Sequence, residues 1–136
     1  MVDCIFCKIV NKELPSYKVY EDVAFYAFLD IFPVNHGHIL IIPKTHYPDI
    51  LHTPPEVAEG LMRLVQKIAP AVLKATKSEG FNLGMNTGSV AGQAVFHTHA
   101  HIMPRFPDDG LRLWGHKPYE PGQMEIVSNA IANAIA

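Results

Sequence analysis

The alternation of apolar and polar residues along the chain predicts five short strands. Most of these segments are rich in aromatic and β-branched side chains, and residues that favour turns separate one from the next. The strands are predicted at residues 17–21, 23–30, 38–42, 81–86 and 94–103. The first two are joined too closely for a crossover, with Glu21 and Asp22 near the turn, so they must pair antiparallel.

One long helix is predicted between the third and fourth strands, where apolar residues recur at helical spacing. These positions are Val57, Leu61, Leu64, Val65, Ile68 and Val72. Thr53 is expected to cap the helix, with Pro54 in its first turn and Glu56 at the spacing of a capping box. Pro70 lies inside the pattern and is expected to kink or divide the helix, which ends near Gly80.

The predicted elements indicate an α+β fold, in which a mostly antiparallel five-stranded sheet carries one long helix packed on one face. A short helix is expected over residues 4–12, and an irregular tail over 106–136 ends in a helix over 123–136. The chain has 136 residues and no internal repeat or linker. We therefore expect a single domain over 1–136, with its core at about residues 3–105.

Composition narrows the possible partners and location. A net charge of −2 argues against a broad basic surface for long nucleic acids. No apolar stretch approaches the roughly 20 residues that span a bilayer, and the N-terminus lacks the pattern of a signal peptide. We therefore expect a cytoplasmic protein without membrane partners. In a reducing compartment, Cys4 and Cys7 favour a metal site or a redox pair over a structural disulfide.

Three of the eight histidines alternate along the last predicted strand: His97, His99 and His101. Because alternate side chains of a strand share a face, their rings should point to one side about 7 Å apart, and one phosphate group would touch two of them. The residues expected to face the core instead are Phe96, Thr98, Ala100 and Ile102. The glycine-rich loop over 86–93 offers backbone N–H groups to an anion. A solvated or simply metal-binding histidine face is the alternative interpretation.

A family resemblance becomes specific at this segment. Gly92-Gln93-Ala94-Val95 followed by His97-Thr98-His99-Ala100-His101 resembles the signature of the histidine-triad (HIT) nucleotide-binding family. Residues 3–9, 28–33 and 37–46 resemble further family blocks in the same order. The resemblance implies a nucleotide hydrolase that acts at the α-phosphate of purine nucleotides, either nucleoside phosphoramidates or dinucleotide polyphosphates, through a covalent nucleotidyl-histidine.

The resemblance also implies a role for individual residues. His99 would attack the α-phosphate, His101 would contact the phosphate and assist proton transfer, and His97 completes the catalytic triad. Asp30 would bind the ribose hydroxyls. The other implied nucleotide contacts are Phe6, Ile9, Leu14 and Ile31 at the purine, and His38, Asn86, Gly92, Gln93, Ala94 and Val95 near the phosphate or leaving group. Some branches have a hydroxyl residue where Ala94 stands, which leaves the preferred leaving group open.

A structural zinc ion is implied as well. Branches of the family that keep both cysteines bind zinc through four residues, which correspond to Cys4, Cys7, His46 and His97 here. Two thiolates and two imidazoles make a closed tetrahedral set, so the metal would be structural and not catalytic. Relatives are homodimers, and we expect the same of this chain.

Two other functions remain open at this point. One is a nucleotidyl transferase, although that branch typically has Gln at the third triad position, where His101 stands, which favours hydrolysis. The other is a non-catalytic purine-nucleotide-binding or scaffold protein. Three histidines receive no role and are predicted on the surface or in loops: His36, His52 and His116. The tail over 106–136 receives no role either.

Overall fold

An antiparallel sheet of five strands forms the centre of the computed structural model, which describes residues 3–135. The strands are β1 (Lys18–Glu21), β2 (Phe25–Leu29), β3 (Ile39–Pro43), β4 (Gly80–Gly84) and β5 (Ala100–Arg105). They lie in the order β1-β2-β3-β5-β4, and each neighbouring pair is antiparallel. The predicted α+β class and mostly antiparallel five-stranded sheet are confirmed.

Helices cover both faces of this sheet. They are α1 (Ile5–Val10), α2 (Pro55–Thr76) and α3 (Gln123–Ala134), and α1 and α2 supply the two layers. Apolar residues of α2 pack with Ala27, Ile41 and Ile102 on one face. Phe6 of α1 packs with Leu40 and its neighbours on the other. Strand β3 is buried on both faces, which is why its sequence is apolar without alternation.

The start of α2 differs from the prediction. Pro54 holds the capping position, and no side chain caps the helix. The Thr53 hydroxyl instead donates to the Asp49 carbonyl at 2.7 Å and meets the Thr98 hydroxyl at 2.7 Å. The expected Thr53 cap, and with it the capping box to Glu56, is therefore wrong. The hydroxyl ties the helix entry to the segment that leads into β5.

Pro70 does not divide α2. The helix runs without a break from Pro55 to Thr76, and Pro70 lies on its exposed side. Proline frees the carbonyl four residues earlier, that of Gln66, and at an exposed position water can satisfy it. The helix ends before Gly80, because Lys77 adopts the left-handed conformation with φ 56°.

Strand β5 begins six residues later than predicted and takes in only one histidine of the triad. Pro43 ends β3 and has no N–H to extend the ladder. The Thr98 N–H bonds outside the sheet, to the Tyr47 carbonyl at 2.7 Å. The chain before Ala100 is therefore irregular. Phe96 is 47% exposed, so its expected place in the core is wrong, whereas Thr98, Ala100 and Ile102 are buried as predicted.

Three smaller outcomes concern the ends of the chain and the sheet edge. Strand β4 ends at Gly84, two residues before its predicted end. Helix α3 forms within the predicted range, whose last residue, Ala136, lies outside the described residues. Its apolar face, represented by Ile126 and Ile131, is exposed. Within residues 3–135, no helix combines the length and apolar character needed to cross a bilayer.

Candidate active site and metal cluster

The histidine rings gather on the α1 side of the sheet even though only His101 lies in a strand. The His99 ring centroid is 5.0 Å from that of His101 and 5.1 Å from that of Phe6. Phe6 also meets the His97 ring edge to face at 5.9 Å. The alternating orientation predicted for the triad thus continues into the irregular chain before β5. His99 is buried and His101 half-buried.

A backbone carbonyl sets the protonation of His99. Its Nδ1 lies 2.6 Å from the His97 carbonyl oxygen. A carbonyl only accepts, so Nδ1 carries the hydrogen, and in a neutral ring Nε2 keeps its lone pair. Burial lowers the pKa of His99, against the opposing effects of the His97 carbonyl and Asp30. The ring is therefore neutral near pH 7, with Nε2 as its nucleophilic atom.

His101 has the opposite tautomer, which its neighbours impose in two steps. The Val34 N–H donates to His38 Nδ1 at 3.1 Å, so a neutral His38 carries its hydrogen on Nε2. That atom lies 2.8 Å from His101 Nδ1, which must accept. Burial, reinforced by the His99 and His38 rings, lowers the pKa of His101 to about 4. His101 is thus neutral near pH 7 and has a hydrogen on Nε2.

Asp30 provides the negative charge of this site. One carboxylate oxygen lies 3.5 Å from His38 Nε2, and the other accepts the Phe32 N–H at 2.8 Å. Burial lowers the pKa of His38, and the charge of Asp30 partly opposes that shift. The carboxylate is half-buried, so part of it remains open to a ligand. Its predicted contact with ribose stays a prediction.

The four residues predicted for the purine do not form one closed slot. Phe6 and Ile9 are buried in the cluster beneath α1. Leu14 is 39% exposed and Ile31 is 75% exposed. The Phe6 ring meets the His99 ring edge to face. The purine contacts expected of these four residues stay predictions.

The side-chain amide of Gln93 bonds to the backbone of the glycine-rich loop and of the segment just before residue 50. Its Oε1 accepts the Gly88 N–H at 2.9 Å, and its Nε2 donates to the carbonyls of Pro48 and Val95 at 2.7 and 3.2 Å. The side chain is buried. Both ends of its amide therefore bond to protein groups, and its expected role in positioning the phosphate or the leaving group stays a prediction.

The loop leaves a short run of backbone free for an anion. The N–H groups of Gly92 and Gln93 bond within the loop, and Asn86 Nδ2 donates weakly to the Gly92 carbonyl at 3.4 Å. Within the part of the chain that the structure describes, Ala94 and Val95 donate their N–H groups to no protein acceptor. These two groups directly precede the triad in sequence and are candidate donors to an anion.

A second cluster lies behind the triad and joins the four residues predicted to bind zinc. The possible ligand atoms of Cys4, Cys7, His46 and His97 all lie within 4.8 Å of one another. His97 Nδ1 is 3.2 Å from His46 Nδ1 and 3.4 Å from Cys4 Sγ, and Cys7 Sγ is 3.4 Å from His46 Nδ1. Zinc bond lengths give tetrahedral edges of roughly 3.3–3.6 Å for such nitrogen and sulfur pairs, so the residues fit the ion.

His97 belongs to this cluster and is unavailable to a substrate. Its ring is fully buried, and Nε2 donates to the Pro43 carbonyl at 2.7 Å, which leaves the Nδ1 lone pair facing the thiols. Burial and the Cys4 thiol raise the pKa of Cys7 to about 11, so metal binding would release a proton there. Any part of His97 in catalysis is therefore indirect.

Two backbone groups that set these tautomers, the Val34 N–H and the Pro43 carbonyl, could not be predicted from the sequence. Backbone groups are present in every residue, so only the fold shows which of them meets a histidine. The three histidines without a role, His36, His52 and His116, are exposed as predicted. Asp30, His38 and His101 also lie close enough together to hold a metal ion. A hydrogen bond between the two rings, however, already uses one nitrogen of each histidine.

Known proteins are similar to this chain over most of its length. Residues 11–108 match the profile of the family described as HIT domain. Adenylylsulfatase HINT3 of Arabidopsis thaliana is 50% identical over 109 residues, which cover 80% of this chain but only 55% of that protein. A HIT family structure from Bacillus subtilis gives a TM-score of 0.90 at 41% identity over 99% of both chains. A Zn-bound histidine triad family protein from Mycobacterium smegmatis gives 0.78 at 38% identity, covering 96% of this chain and 94% of its own.

Proposed function

We propose that this chain, which belongs to the HIT domain family, is a nucleotide hydrolase that acts at the α-phosphate of purine nucleotides through a nucleotidyl-histidine on His99. One observation carries the proposal. Adjacent rings have complementary tautomers, with a lone pair on His99 Nε2 and a hydrogen on His101 Nε2. A nucleophile and a hydrogen-bond donor that meet at one phosphate are the groups such a reaction requires.

The first step would transfer the nucleotide to the protein. The lone pair of His99 Nε2 forms a bond to the α-phosphorus, and the bond from phosphorus to the leaving oxygen or nitrogen breaks. The electron pair of that bond departs with the leaving group, and a leaving nitrogen also takes up one proton from water, so that an unsubstituted phosphoramidate releases ammonia. His101 Nε2–H and the N–H groups of Ala94 and Val95 stabilise charge on the phosphoryl oxygens. The His97 carbonyl stabilises the positive ring of His99 through its Nδ1–H.

The second step would release the nucleotide. Water attacks the same phosphorus and the bond to His99 Nε2 breaks, so its electron pair returns to the ring. One water proton passes to solvent, and the product is a nucleoside monophosphate. The ring stays in position throughout, because its Nδ1–H remains bonded to the His97 carbonyl. Fixed orientation of the nucleophile is a direct contribution of the fold to the rate.

The substrate class follows from the remaining groups. Asp30 is half-buried beside His38 and offers carboxylate oxygens to the hydroxyls of a ribose. Phe6 offers the edge of an apolar surface for a purine. A nucleoside phosphoramidate, a dinucleotide polyphosphate and an adenylyl sulfate all present the same α-phosphate to His99. The last is suggested by the name of the plant relative.

Zinc is proposed as a structural component, held by Cys4, Cys7, His46 and His97. Two thiolates and two imidazoles fill a tetrahedral site, so the ion would link α1 to the segment before β5 and have no open position for a substrate. His97 would connect the zinc to the active site, because its ring would bind the ion and its backbone carbonyl orients the His99 ring. A homodimer and a cytoplasmic location remain predictions from the resemblance and from composition.

The test is direct detection of the covalent intermediate. Purified protein is mixed with adenosine phosphoramidate, quenched in alkali within milliseconds to seconds, digested and analysed by mass spectrometry. We expect one adenylyl group on the peptide that contains His99, absent from His99→Asn and present in the exposed-site control His36→Asn. Turnover by wild-type protein with no adduct at any quench time, or an adduct on His101, would overturn the proposal. An absence of turnover combined with AMP binding would favour the non-catalytic alternative.

A further inference from the structure

Two buried threonine side chains meet between the start of α2 and the chain segment that leads into β5. Thr98 is 1% exposed and Thr53 is 8% exposed, and their hydroxyl oxygens lie 2.7 Å apart. Thr98 stands between His97 and His99 in the sequence, so its backbone connects the metal cluster to the proposed nucleophile. The reaction described above gives neither hydroxyl a role.

The hydrogen bonds of this threonine pair run in one direction. The Thr53 hydroxyl lies 2.7 Å from the Asp49 carbonyl, which only accepts, so the Thr53 hydrogen points there. The Thr53 oxygen then accepts from the Thr98 hydroxyl. The Tyr47 carbonyl, 3.2 Å from the Thr98 hydroxyl, is the longer alternative acceptor. Both hydroxyl hydrogens therefore have a buried acceptor, and the Thr98 side chain is held in one orientation.

The peptide group between His97 and Thr98 links this pair to the nucleophile. Its N–H donates to the Tyr47 carbonyl at 2.7 Å, and its carbonyl oxygen lies 2.6 Å from His99 Nδ1. A trans peptide is planar, so its N–H and carbonyl point in opposite directions and turn only together. Contacts that hold the Thr98 side of this peptide therefore also hold the carbonyl that orients the His99 ring.

The segment that supplies the acceptors is itself anchored to the site. Three consecutive carbonyls accept hydrogen bonds from the loop before the triad, from the triad segment and from the entry of α2. They are the carbonyls of Tyr47, Pro48 and Asp49, which accept from Thr98, Gln93 and Thr53 respectively. The segment also follows His46 of the metal cluster directly. The threonine pair thus joins the triad to a part of the fold that several bonds keep in place.

We propose that Thr53 and Thr98 are positioning residues for His99, and the proposal rests on the hydrolase function above. Neither residue contacts the substrate. Together they hold the peptide after His97 so that its carbonyl keeps the hydrogen on His99 Nδ1 and the lone pair on Nε2. Without this anchor the peptide can rotate and its carbonyl moves off Nδ1. The ring then also adopts the other tautomer, whose Nε2 has no lone pair for phosphorus.

The test removes one hydroxyl without changing the shape of the side chain. For Thr98→Val we expect kcat with adenosine phosphoramidate to fall about tenfold, because the nucleophile is held less firmly, and KM to change less than about twofold. Nitrogen-15 NMR of the imidazole rings at pH 7 should show two tautomers of His99 where the wild type shows one. The His99 signals are identified by their absence from His99→Asn. Thr98→Ser restores the hydroxyl and should recover both values.

The other threonine offers a second route to the same bond. Thr53→Val removes the bond from the α2 side without altering the triad segment, and it should lower kcat in the same direction. The double variant should lose no more than Thr98→Val alone, because the two residues act through one contact. This variant also tests the proposal if Thr98→Val does not fold.

Thr76→Val is the matched control. The Thr76 hydroxyl also lies 2.7 Å from a carbonyl, that of Val72, and 2.7 Å from another hydroxyl, that of Ser78. This second pair stands at the last residue of α2, the opposite end of the helix from Thr53. We expect Thr76→Val to keep the wild-type kcat and a single His99 tautomer.

The results distinguish this proposal from the hydrolase function. A loss of kcat with mixed His99 tautomers in Thr98→Val, and in neither Thr98→Ser nor Thr76→Val, supports it. An unchanged tautomer in Thr98→Val overturns it, whether or not kcat falls, and leaves the hydrolase intact. Equal losses in the serine variant or in the Thr76 control also overturn it, since the Thr98 hydroxyl would then not be the cause. No turnover by the wild type would instead reject the hydrolase function, and the tautomer spectra alone would decide whether the pair orients His99.

Discussion

His97 and His99 are two residues apart, lie on the same side of the sheet and have opposite tautomers. In His97 the hydrogen is on Nε2, where the Pro43 carbonyl accepts it, and Nδ1 faces the thiols of the metal cluster. In His99 the hydrogen is on Nδ1, where the His97 carbonyl accepts it, and Nε2 is left with its lone pair. One ring is therefore prepared to bind a metal and the other to attack phosphorus.

The difference shows that backbone carbonyls can assign different chemistry to identical side chains. A neutral imidazole has one donor and one acceptor, and the atom that donates fixes the direction in which the lone pair points. The second difference lies in the surroundings. Thiols and His46 enclose His97, whereas the Asp30 carboxylate and the half-buried His101 ring lie near His99. Substitutions that treat the two rings alike should therefore have unlike effects.

The largest effect is expected from exchanging each ring for asparagine in turn. His99→Asn removes the nucleophile, so we expect kcat with adenosine phosphoramidate to fall at least about 10⁴-fold. Its zinc content and melting temperature should stay near those of the wild type. His97→Asn should lose most of the zinc and unfold at a lower temperature, because a ligand of the metal cluster is missing. Elemental analysis, thermal unfolding and initial rates measure the three quantities.

Cys4→Ser serves as the control for the metal side of this contrast, since it removes a ligand without touching a histidine. It should resemble His97→Asn in zinc content and unfolding. Wild-type protein that is fully active and free of zinc would contradict the structural metal. The contrast itself would fail if His97→Asn kept its zinc and stability but lost turnover as completely as His99→Asn.

Much of this arrangement was predictable because it depends on side-chain periodicity. Alternation along the chain gave five strands and their antiparallel hairpin, and helical spacing gave α2. The same alternation placed His97, His99 and His101 on one side. The approach of His46 to Cys4 and Cys7 was available only through the family resemblance, since no local pattern brings residues 39 positions apart together.

The features that were missed depend on hydrogen bonds that cross the fold. The capping role of Thr53 was wrong because its hydroxyl meets Thr98 across the fold. The early start of β5 was wrong because Thr98 bonds to a loop carbonyl. The bond from the Gln93 amide to the Pro48 carbonyl was not foreseen either. In each case a polar group bonds to a partner more than 40 residues away in sequence, and propensity and spacing do not indicate such a partner.

The second prediction uses the buried rings on the substrate side of the contrast. Burial lowers the pKa of His101 from 6.5 to about 4 and also lowers that of His38. Between about pH 4 and pH 6.5, these histidines bind protons in the unfolded chain and stay neutral in the folded chain. The free energy of unfolding should therefore be fully present above about pH 6.5 and fall as the pH drops towards 4. Urea denaturation at several pH values across this window measures the slope.

A comparison with His101→Asn isolates the contribution of this ring. The titratable groups that face it are Asp30, His38 and His99, and all are retained in the variant. Zinc ligands titrate in both proteins, so their effect cancels in the difference between the two slopes. We expect the variant to lose less stability than the wild type over the window, and His116→Asn, changed in the exposed tail, to match the wild type. Parallel slopes for His101→Asn and wild type would contradict the buried neutral ring.

The smallest predicted effect concerns Asp30, which distinguishes the substrate side from the metal side by its charge. If its carboxylate accepts from the ribose hydroxyls, Asp30→Asn should lower kcat/KM for adenosine phosphoramidate about tenfold. Wild-type protein should also prefer this substrate to its 2′-deoxy analogue by several-fold. In Asp30→Asn that preference should shrink, because the lost hydroxyl no longer meets a full negative charge. Initial rates on the two substrates give all four values.

The Asp30 carboxylate also lies near His38. The same four rates distinguish a contact with ribose from an effect through His38. Asp30 lies 3.5 Å from His38 Nε2, so its charge also acts on the pair of rings that orients the His101 hydrogen. Loss through that route would lower the rates for ribose and deoxyribose substrates by the same factor and leave the wild-type preference unchanged. A coupling between the hydroxyl and the carboxylate appears only when the two touch. An unchanged preference would therefore mean that Asp30 supports His38 and does not contact the ribose. The sugar would then have no charged partner.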